Sequence, residues 1–434
     1  MLKKSLSAFQ LWGLAVGMVI SGEYFGWNFG WDQAGTLGFL ISSLIVTVLY
    51  CCFVLSYAEL TTAIPHAGGP VAYAYKAFGP MAGLIAGYAT LIEFLFAPPA
   101  IAFALGSYGH FLSADVSVLA TAIAAYAVFS LINLFGIKES AVFNLLVTGL
   151  AVLELLVFIG VVGADFSWDR FLVNGLPHGL SGIIAGLPYA VWLFLGIEGL
   201  AMLAEEVHEP NRTIPKAYLT GIATLVVLAL GVMLAAGGVG DWQALSRIDY
   251  PLPEAISQVM GKASVLSYLF ASLGLFGLLA SFHGLMVAYS RQLFALSRSG
   301  LLPKLLSQVN RRFATPHWAL LLGGLIGILA LLTGATDQLI IMSALGALVM
   351  YCMAMLSLLK LKQQPDFQAG FRAPAYPWLP LVALVLSGLC VLTLIYFNPL
   401  ISVWFLLGLV LTAVLYRYTV DHDTVFDDLD SSGD

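Results

Sequence analysis

The stretch Ile20-Ser21-Gly22-Glu23-Tyr24-Phe25 sets a carboxylate in the middle of the first long apolar segment of a 434-residue chain. A lone charge in hydrocarbon costs roughly 2.5–3.5 kcal/mol on the mildest insertion scale, so its presence needs a purpose. Glycines flank it, at Gly17, Gly22 and Gly26, where a membrane helix is expected to break. The pattern predicts that Glu23 sits in a substrate site and recognises a small organic cation.

Working outward, 60% of the residues are hydrophobic, only 10% are charged, and the mean hydropathy is +0.94. That is more apolar surface than a soluble fold can hide, so the chain reads as a polytopic, all-α membrane protein. Twelve apolar stretches approach the ~20 residues that span a bilayer as helix. They lie near 9–30, 37–62, 81–108, 116–136, 141–164, 180–204, 216–237, 264–290, 317–334, 337–360, 379–397 and 400–417. A β-barrel is excluded because the runs are continuous and lack two-residue alternation. With the N-terminus inside, the outer loops hold Arg170, Arg247 and Lys262, and the other fifteen of the eighteen Lys and Arg lie inside. Basic residues stay on the cytoplasmic side, so both termini are expected there. The acidic tail, with Asp421, Asp423, Asp427, Asp428, Asp430 and Asp434, reads as a solvated end. Cys51, Cys52, Cys352 and Cys390 all fall within spans and read as small hydrophobes, without a disulfide or metal pattern. The first stretch has no small-residue cleavage site and is expected to remain as a helix.

Two segments, Gly13 to Gly30 and Gly182 to Glu205, carry glycine and polar residues in mid-span, where the others carry them at the ends. Their places as first and sixth helices fit an inverted repeat of two five-helix halves with two extra helices. The expected organisation is one transporter domain over 1–417, with repeat one near 9–164, repeat two near 180–360, extra helices near 379–417 and a cytoplasmic tail over 418–434. Close helix packing explains Gly13 and Gly17 equally well, but not Glu23 or Glu198. The loops at Pro65–Pro80, Glu205–Lys216 and Ser297–Pro316 combine Pro or Gly with charge, and Asp241–Lys262 is the sizeable outer loop.

Several motifs resemble the amino acid-polyamine-organocation permeases, whose fold is of the LeuT type, and the likeness runs over nearly the whole chain. They are Tyr57-Ala58-Glu59-Leu60 with Pro65, Gly68, Gly69, Pro70 and Tyr73; Ala204-Glu205-Glu206 through Pro210-Asn211-Arg212 to Pro215-Lys216; and Ser297-Arg298-Ser299-Gly300-Leu301-Leu302-Pro303 with Thr315-Pro316. The resemblance places Ile20–Phe25 at the break of the first helix, whose free backbone amides are expected to hold a substrate carboxylate. It places Trp192-Leu193-Phe194-Leu195-Gly196-Ile197-Glu198 at the break of the sixth. Relatives keep a small uncharged residue where this chain has Glu23. A fixed anion there repels a carboxylate and competes for the same amides, so the substrate is expected to lack a carboxylate and keep an ammonium. The run Ser21-Gly22-Glu23-Tyr24-Phe25-Gly26-Trp27-Asn28 is similar to the ethanolamine permease branch.

The implied function is import of ethanolamine or a close amine across a bacterial inner membrane by alternating access, with proton symport expected and sodium as the alternative ion. No other cofactor, nucleic acid or obligate protein partner is expected beside the amine and the bilayer. An amino acid or polyamine permease and a non-transporting amine sensor are the rival readings. An enzyme is disfavoured, because no paired metal motif or nucleophile elbow occurs.

The expected substrate site comprises Ser21, Gly22, Glu23, Tyr24, Phe25, Glu93, Tyr189, Trp192, Phe194, Gly196 and Glu198. Aromatic rings there suit an ammonium. Glu198 is expected to cap backbone N–H groups where the sixth helix restarts. Glu93 resembles an acid of the cationic amino acid branch and reads as either a substrate contact or a buried anchor. Glu154 aligns with a position where some proton-coupled relatives carry lysine, so coupling through Glu154, His283 and Ser281 is expected; the alternative is a static pairing of Glu154 with His283 or Ser281. Glu59, Glu205, Glu206 and Arg212 lie at cytoplasmic ends, where inner-gate ion pairs compete with plain loop solubility.

Overall fold

A continuous apolar run in a bilayer has no water for its peptide groups, so each run closes its hydrogen bonds internally as helix. The computed structural model describes residues 6–135, 137–261, 264–310, 312–313 and 315–419; the acidic stretch from Asp421 onward, with Lys3, Lys4, Lys262 and Arg311, lies outside them. Among the described residues the chain is helical, with no strand. Among the described residues nine helices are long and apolar enough to cross a membrane. They supply the second span (within Phe29–Ala63), third (Pro80–Leu112), fifth (Ile137–Gly163), sixth (Gly179–Trp192 with Ile197–Glu206), seventh (Pro210–Gly237), eighth (Val265–Arg298), tenth (Thr336–Leu361), eleventh (Trp378–Phe397) and twelfth (Pro399–Thr419). Val118–Leu134 and His317–Leu331 are shorter apolar helices in the fourth and ninth places. The first span is built from Ala8–Val19, Ser21–Tyr24 and the start of Phe29–Ala63, which turns sharply at Gly35 (φ 71°, ψ 175°) into the second.

The described spans follow the hydropathy pattern, and the departures have physical causes. The eighth helix continues past Tyr289 to Arg298 although Arg291 and Gln292 look like its end. Arg291 is buried against Glu206 (Nε to Oε1 2.9 Å), so its charge is compensated inside the fold. In the outer loop Trp242–Leu245 and Pro251–Met260 form short helices.

The third span runs through the centre, packed on the eighth and tenth, and the first span is enclosed by the fifth, seventh and eighth. Both breaks turn on a left-handed glycine: Gly26 has φ 91° and Gly196 has φ 105°. A Cβ on Gly26 would lie 2.4 Å from the Trp192 indole nitrogen, so glycine is required there by backbone angle and by space. Gly26→Ala is expected to destabilise the protein by about 1–3 kcal/mol; a detergent melting temperature equal to wild type would contradict this account of the break.

Candidate functional site

The first helix does not open where the sequence suggested. Ile20 keeps helical angles and the turn continues through Ser21–Tyr24, with Glu23 N donating to Ile20 O (3.1 Å) and Phe25 N to Ser21 O (3.2 Å). The amides of Glu23 and Phe25, expected free for a carboxylate, are therefore spent within the helix. The chain departs from helix at Phe25 (φ −164°, ψ 173°) and Gly26.

Ending there strands carbonyls, and a buried carbonyl needs a donor. Three side chains supply them in series. Trp27 Nε1 donates to Glu23 O (3.0 Å), Tyr108 OH to Tyr24 O (3.1 Å) and Trp192 Nε1 to Phe25 O (3.0 Å). The third span and the sixth thus hold the broken end of the first. Asn28 Oδ1 accepts from Gly26 N (2.9 Å) and closes the turn.

At the sixth break Glu198 Oε1 accepts from Gly196 N (3.0 Å) as the chain restarts as a 3-10 helix over Ile197–Glu206. The two breaks touch: a Cβ on Gly22 would lie 2.5 Å from Trp192 O, and the Phe25 and Trp192 rings meet edge to face at 5.6 Å. Phe194 packs against Tyr50 (5.2 Å). Tyr189 lies further out, lining a cavity of about 410 Å³ with Gln33, Asp337 and Asn398.

The four acids expected at the site divide into three settings. Glu93 and Glu198 face each other across the third and sixth spans, with Tyr351 alongside. No hydrogen bond joins the two carboxyls: neither Glu93 oxygen has a partner among the described residues, and Glu198 Oε2 has none either. Tyr351 OH is 2.9 Å from Tyr50 OH, which also donates to Val191 O (3.2 Å). Glu154, on the fifth span, accepts from Tyr24 OH (2.6 Å). Glu23 is fully buried, and neither carboxyl oxygen has a partner among the described residues. It continues the helix face of Trp12, Val16 and Val19, which packs on the seventh span through Trp12 Nε1 to Thr224 Oγ1 (3.3 Å) and contact with Gly221. Its neighbour Gly22 is the residue that meets the sixth break.

The expected relay of Glu154, His283 and Ser281 is not assembled in the structure. Ser281 bridges Ser21 Oγ (2.7 Å) and Met18 O (2.5 Å), while His283 lies beside the rings of Phe129 (5.8 Å) and Phe143 (6.0 Å). Two residues apart on one helix, 281 and 283 point about 160° apart and cannot serve one partner. The static alternative also fails for Glu154, whose bond goes to Tyr24.

With the broken end of the first helix capped from the sixth, a family comparison agrees: the amino acid permease profile fits residues 6–416. The chain belongs to that family, within the amino acid-polyamine-organocation superfamily. It is 28% identical to an uncharacterized transporter of Rhizobium meliloti, over 90% of this chain and 85% of the relative. A methylthioribose transporter of Bacillus subtilis is 28% identical, and a branched-chain amino acid permease of the same organism 27%; in both cases 97% of this chain and 94% of the relative are covered. The protein is therefore a multi-pass membrane permease, and its relatives are named as transporters.

Ion pairs and hydrogen bonds tie segments together on both sides of the breaks. At the arginine-rich end Leu6 N donates to Glu206 O (3.1 Å), Arg291 pairs with Glu206, Arg298 with Glu205 (3.0 Å) and Lys362 with Glu59 (2.8 Å). These pairs use three of the acids that sequence left open between gate and loop; Arg212 is exposed. At the opposite end Arg247 pairs with Asp32 (2.7 Å), and Asn28 Nδ2 donates to Leu245 O (2.7 Å) and Ile248 O (2.8 Å). Thr336 Oγ1 donates to Asp249 there (3.3 Å). Sequence reasoning missed Asn28, Tyr50, Tyr108 and Tyr351. A polar atom on each, set among apolar neighbours, was the available signal.

Burial, against the Thr336 bond and aided by the charge of Asp337, raises the Asp249 carboxyl from 3.8 to about 6. A group whose folded value is raised stabilises fully below its unfolded value and loses that contribution as pH climbs through the folded one. The melting temperature should accordingly fall between pH 4 and about 6 by an increment absent in Asp249→Asn; the same slope in both proteins would contradict the assignment.

Proposed function

We propose that this permease imports ethanolamine or a closely related small amine by proton symport. The observation that carries the reading is a set of four buried acids without a basic partner among the described residues. Glu23, Glu93, Glu154 and Glu198 are buried within the spans, and among the described residues none is within ion-pair distance of Lys, Arg or His. The buried Arg291 is already paired with Glu206. Such an interior favours a substrate that brings positive charge and opposes one that adds a carboxylate. That reason replaces competition for the first-helix amides, since the amides of Glu23 and Phe25 are occupied.

In this reading the neighbouring Glu93 and Glu198 carboxyls beneath the sixth break receive the ammonium. Trp192 and Phe194, on the same break, supply ring faces. Glu23 adds to the negative potential from the seventh-span side of the first break. Glu154 carries the coupling proton, because its bond to Tyr24 OH joins its protonation state directly to the broken end of the first helix. The conformation of that end is what alternating access must change. The orientation expected from the basic loops makes the arginine-rich end cytoplasmic, in a bacterial inner membrane.

The branched-chain amino acid permease among the relatives favours one competing reading, a zwitterionic amino acid as cargo. Uptake into proteoliposomes separates the two. Labelled ethanolamine should accumulate under an inward proton gradient with leucine failing to compete; strong competition by leucine would overturn the amine reading, and binding without accumulation would make the protein a sensor. Glu93→Gln should weaken ethanolamine binding by roughly tenfold to a hundredfold, the range for losing one charged hydrogen bond. Glu154→Gln keeps an acceptor for Tyr24 and should leave a folded protein that no longer accumulates ethanolamine in response to pH. Normal pH-driven accumulation in that variant would remove Glu154 from coupling.

A further inference from the structure

A groove on the bilayer-facing surface lies between the third, eighth and ninth spans, remote in function from the acids described above. Its volume is about 570 Å³ and its lining is almost wholly apolar, including Leu91 and Leu95, Leu293, Trp318, Leu322 and Leu325. Its origin is geometric. The ninth helix has fifteen residues, about 22 Å at 1.5 Å per residue, against a hydrocarbon core of roughly 30 Å. The turn containing Pro303, Leu305 and Leu306 lines the groove beside the ninth helix.

We infer that this groove binds one acyl chain of an anionic phospholipid, with Lys304 holding the headgroup. Apart from the Trp318 indole N–H the lining side chains are aliphatic, so the buried part of the occupant is hydrocarbon, and the groove opens to the phase that supplies it. Charge selects the lipid. Lys304 stands between the lining residues Pro303 and Leu305, is exposed, and makes no ion pair among the described residues. An ammonium at the polar boundary of an acyl-chain groove attracts an anionic headgroup. Trp318, partly exposed at the first turn of the ninth helix, suits the same boundary. Leu91 and Leu95 lie one turn apart on the third span, on the side opposite Glu93, so the bound chain rests on the back of the helix that carries that acid.

Trp318 makes the site readable. The full-length protein would be reconstituted in phosphatidylcholine bilayers containing a minor fraction of phospholipid brominated on its acyl chains, and the Trp318 signal taken as the difference between wild type and Trp318→Phe. Brominated phosphatidylglycerol should quench that signal with a preference of roughly fivefold over brominated phosphatidylcholine at equal fraction, the effect of one lysine near an anionic surface. Lys304→Gln should abolish the preference while leaving quenching by either lipid. Equal quenching by the two lipids in the wild type would overturn headgroup recognition, and no quenching by either would overturn the chain site. As a second measurement, Leu325→Trp fills the groove and should lower, severalfold, the phosphatidylglycerol retained through detergent purification and read by mass spectrometry. Retention equal to wild type would also overturn the proposal.

Discussion

A helix broken inside a bilayer strands carbonyl groups where no water can reach them, and the centre of this permease is organised around satisfying three of them. Glu23, Tyr24 and Phe25 end the first half of the first span, and their carbonyls are met by Trp27, Tyr108 and Trp192. Each lost donor would leave a buried acceptor unpaired, a cost of about 1–3 kcal/mol. Because the donors come from three segments, the end of the first span cannot shift without disturbing the third and the sixth. The Tyr24 hydroxyl then passes that constraint to Glu154 on the fifth.

The acids are distributed around this frame rather than gathered at one point. Glu93 and Glu198 meet beneath the sixth break, Glu154 holds Tyr24, and Glu23 faces the seventh-span side. Charge in a low-dielectric interior must be neutralised by a proton, a counter-ion or a ligand. Among the described residues no basic side chain is paired to any of the four, so the proposed amine and a coupling ion, proton or sodium, would meet one and the same requirement.

The spans were legible because hydropathy and length are strong constraints in a membrane, and both breaks were legible because Gly22, Gly26 and Gly196 stand where a continuous helix has no use for them. The end of the eighth helix was misjudged because Arg291 looks like a boundary until Glu206 is placed beside it. The opening of the first helix was set too early: glycine and charge mark a weak point, while the position of the carbonyl donors decides where the helix stops. Those donors come from distant segments, and a single sequence does not say which faces of two helices meet. The same holds for His283 and Ser281, whose spacing of two residues forbids a shared partner once the eighth segment is known to be helical. Glu59, Glu205 and Glu206 resolved from ambiguous loop acids into ion pairs only when Lys362, Arg298 and Arg291 were brought to them.

The central claim is that buried carboxyls without a basic partner select a positive charge and reject a carboxylate. Calorimetric titration of the purified protein with ethanolamine, glycine and ethylene glycol isolates that choice, because the three are similar in size and differ in charge. Saturable heat with ethanolamine alone, lost when Glu93 and Glu198 are both changed to glutamine, is the predicted result. Glycine binding as tightly as ethanolamine would contradict it.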